Sequence, residues 1–341
     1  MPKKFNTNRI VRYVSIAFLT SLPVRAIAVE LYGVVDAFVG STKSSGDPGS
    51  VGGLQSGGMS TSFWGLTGSE MIGDGVKANF RIEGYYLSDT GASGRSATDT
   101  LLSRNAYVGL EGKFGEIRLG RLANPMFLAT GQFDPFGGST KFSPIMNPLW
   151  SPQYGRYIAG DSGWNNAIGY YTPEFSGLSG RFLYAFGEAV GTNTSNNAVA
   201  MLYLNKSPFT ATVAFQRTRF GPGFPAGGSA QNVVSAGMAY DFRGLKVFLQ
   251  YSGTRASGVE FRTDSYMVGA TVPFLEGRFM FAATQTNINS VGRQDAKRRD
   301  AGLGYLYALS KRTDVYISTI YDKLSDQGSG VSTGIGIRHR F

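Results

Sequence analysis

The chain has no cysteine and a single histidine, His339. Without thiols there is no disulfide framework, no thiolate metal site and no lipid-modified N-terminal cysteine. One imidazole makes no metal cluster. A nucleophile and base pair of the kind a rim-site protease or phospholipase needs would have to be built on His339, two residues from the C-terminus, so histidine-based catalysis is not expected and no cofactor is called for. Long hydrophobic runs are missing as well. The apolar stretch Tyr13 to Leu22 falls well short of the roughly twenty residues of a membrane-spanning helix, and nothing later approaches that length.

That short run has a different reading. Lys3, Lys4, Arg9 and Arg12 precede it, and Ala26-Ile27-Ala28 places small residues at the cleavage-determining positions, so residues 1–28 are expected to be a secretory signal peptide. They hold five basic residues and no acid, so the formal net charge of +10 falls to +5 in the mature chain. Nucleic-acid binding is therefore not implied by the basic balance. No linker divides residues 29–341, which read as one domain.

What the chain has in abundance is glycine, 47 residues, with 13% aromatics. From Val29 onward, segments of about ten residues alternate apolar and polar positions, the signature of a transmembrane barrel strand. Sixteen such segments run from 29–40 and 59–68 to 331–341. Their connections alternate between long polar ones, such as 41–58, 88–103 and 122–163, and tight ones, such as 112–115 and 242–244. An outer-membrane barrel has this asymmetry, with short periplasmic turns and longer outer loops.

Energy decides which face is which. In Val76 to Leu87, Val76, Ala78, Phe80 and Ile82 alternate with Lys77, Asn79, Arg81 and Glu83. A Lys or Arg facing lipid at the bilayer midplane costs about 2–4 kcal/mol, so the charged face must line the bore. In the last segment Val331, Thr333, Ile335 and Ile337 are expected outward, and Ser332, Gly334, Gly336 and Arg338 inward.

One stretch breaks the pattern. Leu122 to Gly163 carries five prolines and no clear period, and a loop of that length inside a compact domain is functional or disordered. Phe127, Phe133, Phe136, Phe142 and Trp150 make it too apolar for a free linker, so it is expected to fold back onto the rest of the chain.

Several pieces, in this order and spacing, resemble Gram-negative general porins. They are Val29-Glu30-Leu31-Tyr32-Gly33-Val34-Val35-Asp36-Ala37, Phe63-Trp64-Gly65-Leu66-Thr67-Gly68-Ser69-Glu70, Arg104-Asn105-Ala106-Tyr107-Val108-Gly109-Leu110, Leu119-Gly120-Arg121 and Ile337-Arg338-His339-Arg340-Phe341. The resemblance implies an all-β, sixteen-stranded antiparallel barrel in the bacterial outer membrane, a homotrimer, and a third outer loop bent inward to narrow a water-filled channel for small hydrophilic solutes. It also implies partners in outer-membrane lipid and lipopolysaccharide, and an assembly machinery that reads Phe341 and Ile337.

In the family, basic wall side chains face acidic side chains on the loop. Carried over, this names Arg104 first, then Arg81 and Lys77, against Asp134, the one acid between Leu122 and Gly160. An Asp before Pro is equally a common turn residue. Phe63, Thr67 and Trp164 stand at or near positions where relatives commonly have arginine. Lys141 and Arg156 still leave the loop net positive, so a modest anion preference is expected. Arg121 resembles a trimer-contact arginine, with Asp89 and Asp99 as possible partners. The alternative function is a solute-specific channel using the loop aromatics, although those residues also suffice to glue the loop to the wall. A purely structural or adhesive barrel is a further class.

Overall fold

Alternation with period two lets one sheet face water on one side and hydrocarbon on the other, provided the sheet has no open edge. The computed structural model, which describes residues 29–150, 159–187, 196–220 and 227–341, has that form. Its strands are β1 (Glu30–Thr42), β2 (Val51–Ser56), β3 (Phe63–Gly73), β4 (Val76–Tyr85), β5 (Asn105–Gly112), β6 (Gly115–Ala123), β7 (Gly163–Tyr171), β8 (Leu178–Ala185) and β9 (Asn197–Lys206), followed by β10 (Phe209–Thr218), β11 (Ala230–Phe242), β12 (Leu245–Ser257), β13 (Phe261–Phe274), β14 (Gly277–Ser290), β15 (Arg293–Ala308), β16 (Thr313–Leu324) and β17 (Gly330–Arg340). Sequential neighbours pair antiparallel, and β17 closes on β1 with Val34 opposite Arg340 and Ser41 opposite Thr333.

The seventeen segments make a sixteen-stranded barrel, because β2 and β3 are two halves of one strand. β2 pairs with Ala37 to Thr42 of β1, and β3 pairs with Glu30 to Val34. Here the structure differs from the sequence reading, which placed the second strand at 59–68 and a loop over 41–58. The chain leaves the sheet between Gly57 and Ser62 because Asp36 draws in its backbone: Gly58 N–H and Met59 N–H each donate to that carboxylate at 3.0 Å.

Side-chain exposure follows the expected faces. On β17, Val331, Ile335 and Ile337 are 51%, 63% and 50% exposed, whereas Ser332 and Arg338 are buried. On β5 and β6, Val108, Leu110, Ile117 and Leu119 point outward and Tyr107 inward. A ring of exposed Val, Leu, Ile and Phe on every side of a folded chain is a lipid-contact surface. The tight connections lie at one end. Between β3 and β4, Asp74 and Gly75 both take positive φ, 50° and 74°, as a two-residue primed hairpin turn requires.

Among its described residues the long connection between β6 and β7 contains two helices, α1 (Pro125–Gln132) and α2 (Met146–Trp150). Asn124 caps α1, accepting from Met126 N–H at 2.9 Å, and Pro125 occupies the first turn, where its missing donor is not needed. The loop runs inside the barrel against the wall formed by β9 to β17 and β1. Gln250 on β12 donates to Thr130 O at 3.0 Å, Asn124 donates to Gln216 on β10 at 2.6 Å, and Ser139 Oγ donates to Gly58 O at 2.6 Å.

A row of wall glycines makes room for the loop. Cβ atoms built at Gly237 (β11), Gly269 (β13), Gly302 (β15) and Gly334 (β17) would lie 2.9 Å from Phe133, 2.5 Å from Pro135, 2.9 Å from Phe136 and 3.0 Å from Phe142. The loop therefore crosses four alternate strands, seating one ring on each glycine. Phe133, Phe136 and Phe142 are almost wholly buried there.

Candidate functional site: the bore and its inward loop

With the loop packed on one wall, the bore lies between it and the opposite wall, the start of β1 with β3 to β6. That wall carries a stack of cations and rings. Strict alternation sends Arg81, Glu83, Tyr107, Glu116 and Arg118 inward from β4, β5 and β6. Arg81 stands 5.8 Å from the Tyr32 ring centroid, Arg104 4.2 Å from that of Phe63, and Arg118 4.8 Å and 4.1 Å from those of Tyr107 and Tyr171. Ring faces hold guanidinium groups by their quadrupole while leaving the N–H edges available. Phe63 is the shelf under Arg104.

Carboxylates tie the stack down. Glu83, wholly buried, takes Arg104 as a salt-bridge partner and accepts from Tyr32 OH and Asn105 Nδ2. Arg118 forks onto Glu116 at 2.8 and 2.6 Å. Arg118 is absent from the sequence-derived set although it shares its inward register with Glu116. The alternation of residues 116–121 contains that signal.

The other sequence-derived residues fall in different places. Lys77 pairs with Glu111 at 2.9 Å, one residue into β4 from the Asp74–Gly75 turn, so it belongs to the tight-turn rim and not to the narrowing. Asp134 does not face Arg104. It is buried inside the loop, where it accepts from Phe136 N–H at 3.2 Å and Gly138 N–H at 3.0 Å and bonds Ser143. Burial pushes its pKa up to about 6 against the lowering effect of those donors. The turn chemistry of Asp-Pro decided its place.

Lys141 is exposed on the loop and feels the charge of Asp89. Both line the vestibule above the narrowing, a cavity of about 890 Å³ that also reaches Phe127 and Trp150. Arg156 lies outside the described residues, as do residues 1–28.

The loop aromatics serve as glue. Phe142 packs edge-on against Phe38 at 5.3 Å, Phe133 against Tyr203 at 6.2 Å, and Phe127 against Trp150 at 5.3 Å. Only this last pair borders the vestibule, and Trp150 is itself buried, its Nε1 donating to Thr130 Oγ1 at 3.2 Å.

Arg121 sits at a register shift in β6 and donates to Ser103 O at 2.8 Å and Asn165 Oδ1 at 2.7 Å. Asp99 is held by Arg95, whose Nε and Nη2 reach it at 2.7 and 2.9 Å. Burial alone would raise the Asp99 pKa, yet these bonds keep it below the usual carboxylate range. Arg95 also donates to Ser162 Oγ at 2.7 Å, pinning the second outer loop to the return of the third. At the chain end, Phe341 and Gly33 exchange both backbone hydrogen bonds at 3.2 Å, while Phe341 and Ile337 point outward.

The comparisons with known proteins agree with this geometry. The model of the Gram-negative porin family matches residues 14–327. Outer membrane porin protein 32 of Delftia acidovorans is 32% identical over 342 residues, covering 92% of this chain and 94% of that protein. An outer membrane porin protein of Bordetella pertussis is 27% identical, with the same shares covered. Among solved structures, the anion-selective porin from Comamonas acidovorans superposes with a TM-score of 0.78 at 28% identity, over 92% of this chain and 99% of that one. The trimer form of OmpT from Vibrio cholerae, at 13% identity and a TM-score of 0.67, shares the fold. The family model spans most of the chain, a relative is 32% identical over nearly its whole length, and the barrel superposes on that of a solved porin: the chain belongs to the Gram-negative porin family and is an outer-membrane porin.

Proposed function

We propose that this porin is a general diffusion channel with a modest preference for anions. The observation that carries the reading is the placement of charge across the bore. On the wall, Arg81, Arg104 and Arg118 are fixed over rings. On the loop, Asp134 is turned into a buried turn, while Lys141 is exposed. Among the described residues the wall side of the narrowing is thus positive, moderated by Glu83 and Glu116, while the loop withdraws Asp134 from it and carries Lys141 in the vestibule above. A low-dielectric wall focuses such a field on ions that must pass within a few ångströms of it. The selectivity named for the Comamonas acidovorans porin lends support.

The finer partners belong to the same reading. Residues 1–28 direct export, residues 29–341 form the mature barrel, and three copies associate, as the OmpT trimer supports. Arg121 is the residue assigned to the contact with a neighbouring subunit. Lipid and lipopolysaccharide cover the outer face, and the assembly machinery reads Phe341 and Ile337. Reversal potentials across a planar bilayer under a potassium chloride gradient test the selectivity. A modest shift to the chloride side is expected, and a clear cation preference overturns it. Burial of the loop rings argues against an aromatic solute ladder.

A further inference from the structure

Asp36 lies in the middle of β1 with its carboxylate turned into the bore and wholly buried. Gly58 N–H reaches its Oδ1 at 3.0 Å, Met59 N–H and Ser60 N–H reach its Oδ2 at 3.0 and 2.8 Å, and Tyr316 OH donates to Oδ1 at 2.6 Å. A β-ladder never aims three successive N–H groups at one point. The carboxylate therefore holds Gly57 to Ser62 out of the sheet, folded inward.

The segment is anchored on its other sides too. Met59 is buried with its sulfur 3.6 Å from Ser318 Oγ, and Arg338, paired with Asp314 at 3.1 Å, donates to Ser60 Oγ at 2.8 Å. Toward the bore, Gly58 O accepts from Ser139 Oγ at 2.6 Å. That same hydroxyl accepts from Phe142 N–H at 2.8 Å and Lys141 N–H at 3.2 Å, so it fixes the backbone of the loop's exposed cation. Gly58 admits no side chain, since a Cβ there would lie 2.0 Å from Tyr316 OH.

We propose that Gly57–Ser62 is a second inward element of this porin, a strut, and that Asp36, Tyr316 and Ser139 are positioning residues that hold the constriction loop off the bore through it. This rests on the channel reading above. Released from the strut, the loop tip swings into the bore, and the open channel flickers to partial closures.

The test is single-channel recording on full-length, membrane-assembled protein carrying Asp36→Asn, Ser139→Ala or both. Asp36→Asn keeps the shape and removes the charge that gathers the N–H groups. Each single variant is expected to raise the frequency of partial closures severalfold and to lower the mean current by roughly a third or more, with the reversal potential unchanged. Both changes act through one segment, so the double variant is expected to match Asp36→Asn instead of summing the two effects. Tyr316→Phe, which removes one donor of four, gives a smaller change of the same sign. Wild-type current and flicker in Ser139→Ala, or additive effects in the double variant, overturn the proposal. Should Asp36→Asn fail to assemble, Ser139→Ala, which lies on the loop and not in the barrel, decides alone. An unmodified protein that forms no channel would instead sink the porin reading.

Discussion

Asp134 makes the constriction loop sensitive to pH, and the direction follows from its raised pKa. In an unfolded chain the carboxyl titrates near 3.8, but burial in the loop moves it to about 6. The protonated form is therefore favoured by folding. Its contribution is complete below the unfolded value and is lost as pH rises through about 6. A shift of about two units corresponds to about 3 kcal/mol at most. The loop should loosen above that pH, and Asp134→Asn should hold it equally well at all pH values. Hydrogen exchange at Phe136 and Gly138 N–H, corrected for intrinsic rates, reads this directly. Unchanged pH dependence in the variant would falsify the assignment. Across the bore, Arg104→Gln leaves the Glu83 side chain, 1% exposed, without its cation. Stripping one partner from a buried pair costs about 3–5 kcal/mol. Thermal denaturation in detergent should register that loss, and the reversal potential should move toward cations.

At the scale of elements, the loop and its glycine row were legible to different degrees. The alternation of Val331 to Phe341 and of Val76 to Leu87 gave the strands and both their faces, because a period of two is a local property of the chain. The fold-back of Leu122 to Gly163 was also legible, since five large aromatic side chains need cover. The position of Asp134 was not, because an Asp-Pro pair fits a pore-facing acid and a buried turn equally well until the surrounding packing is known. The break between β2 and β3 was hidden for a similar reason: it depends on Asp36, twenty-odd residues earlier, aiming at backbone groups that carry no sequence signal. The helix α1 did have a signal, Asn124-Pro125, which the absence of a long period obscured. Packing supplies a prediction here. Gly302→Val places methyl groups where Phe136 and Pro144 sit, at 2.9 and 3.0 Å from the added Cβ alone, with only loop side chains in the way. Overpacking of this kind costs about 1–3 kcal/mol. The barrel should assemble normally while the loop is lifted toward the bore, so conductance falls with no loss of assembled protein in envelope extracts.

For the whole molecule, the decisive property is that one sheet separates water from hydrocarbon, so the same substitution must have opposite outcomes on its two faces. Val268 on β13 is 53% exposed on the outside. Arginine there meets lipid, at a cost of about 2–4 kcal/mol near the midplane. Thr67 on β3 lies inside, opposite Glu30 on one neighbour and Arg81 on the other. Arginine at that position stays in water, gains Glu30 as a cross-strand partner and adds one cation to the wall stack. Val268→Arg should therefore reduce the amount of assembled protein in the outer membrane, with the surviving channels keeping their reversal potential. Thr67→Arg should assemble at the normal level and shift the reversal potential further toward chloride. Extraction yield from envelopes, read beside planar-bilayer recordings, separates the two variants. If they behaved alike, the two faces could not be facing different solvents.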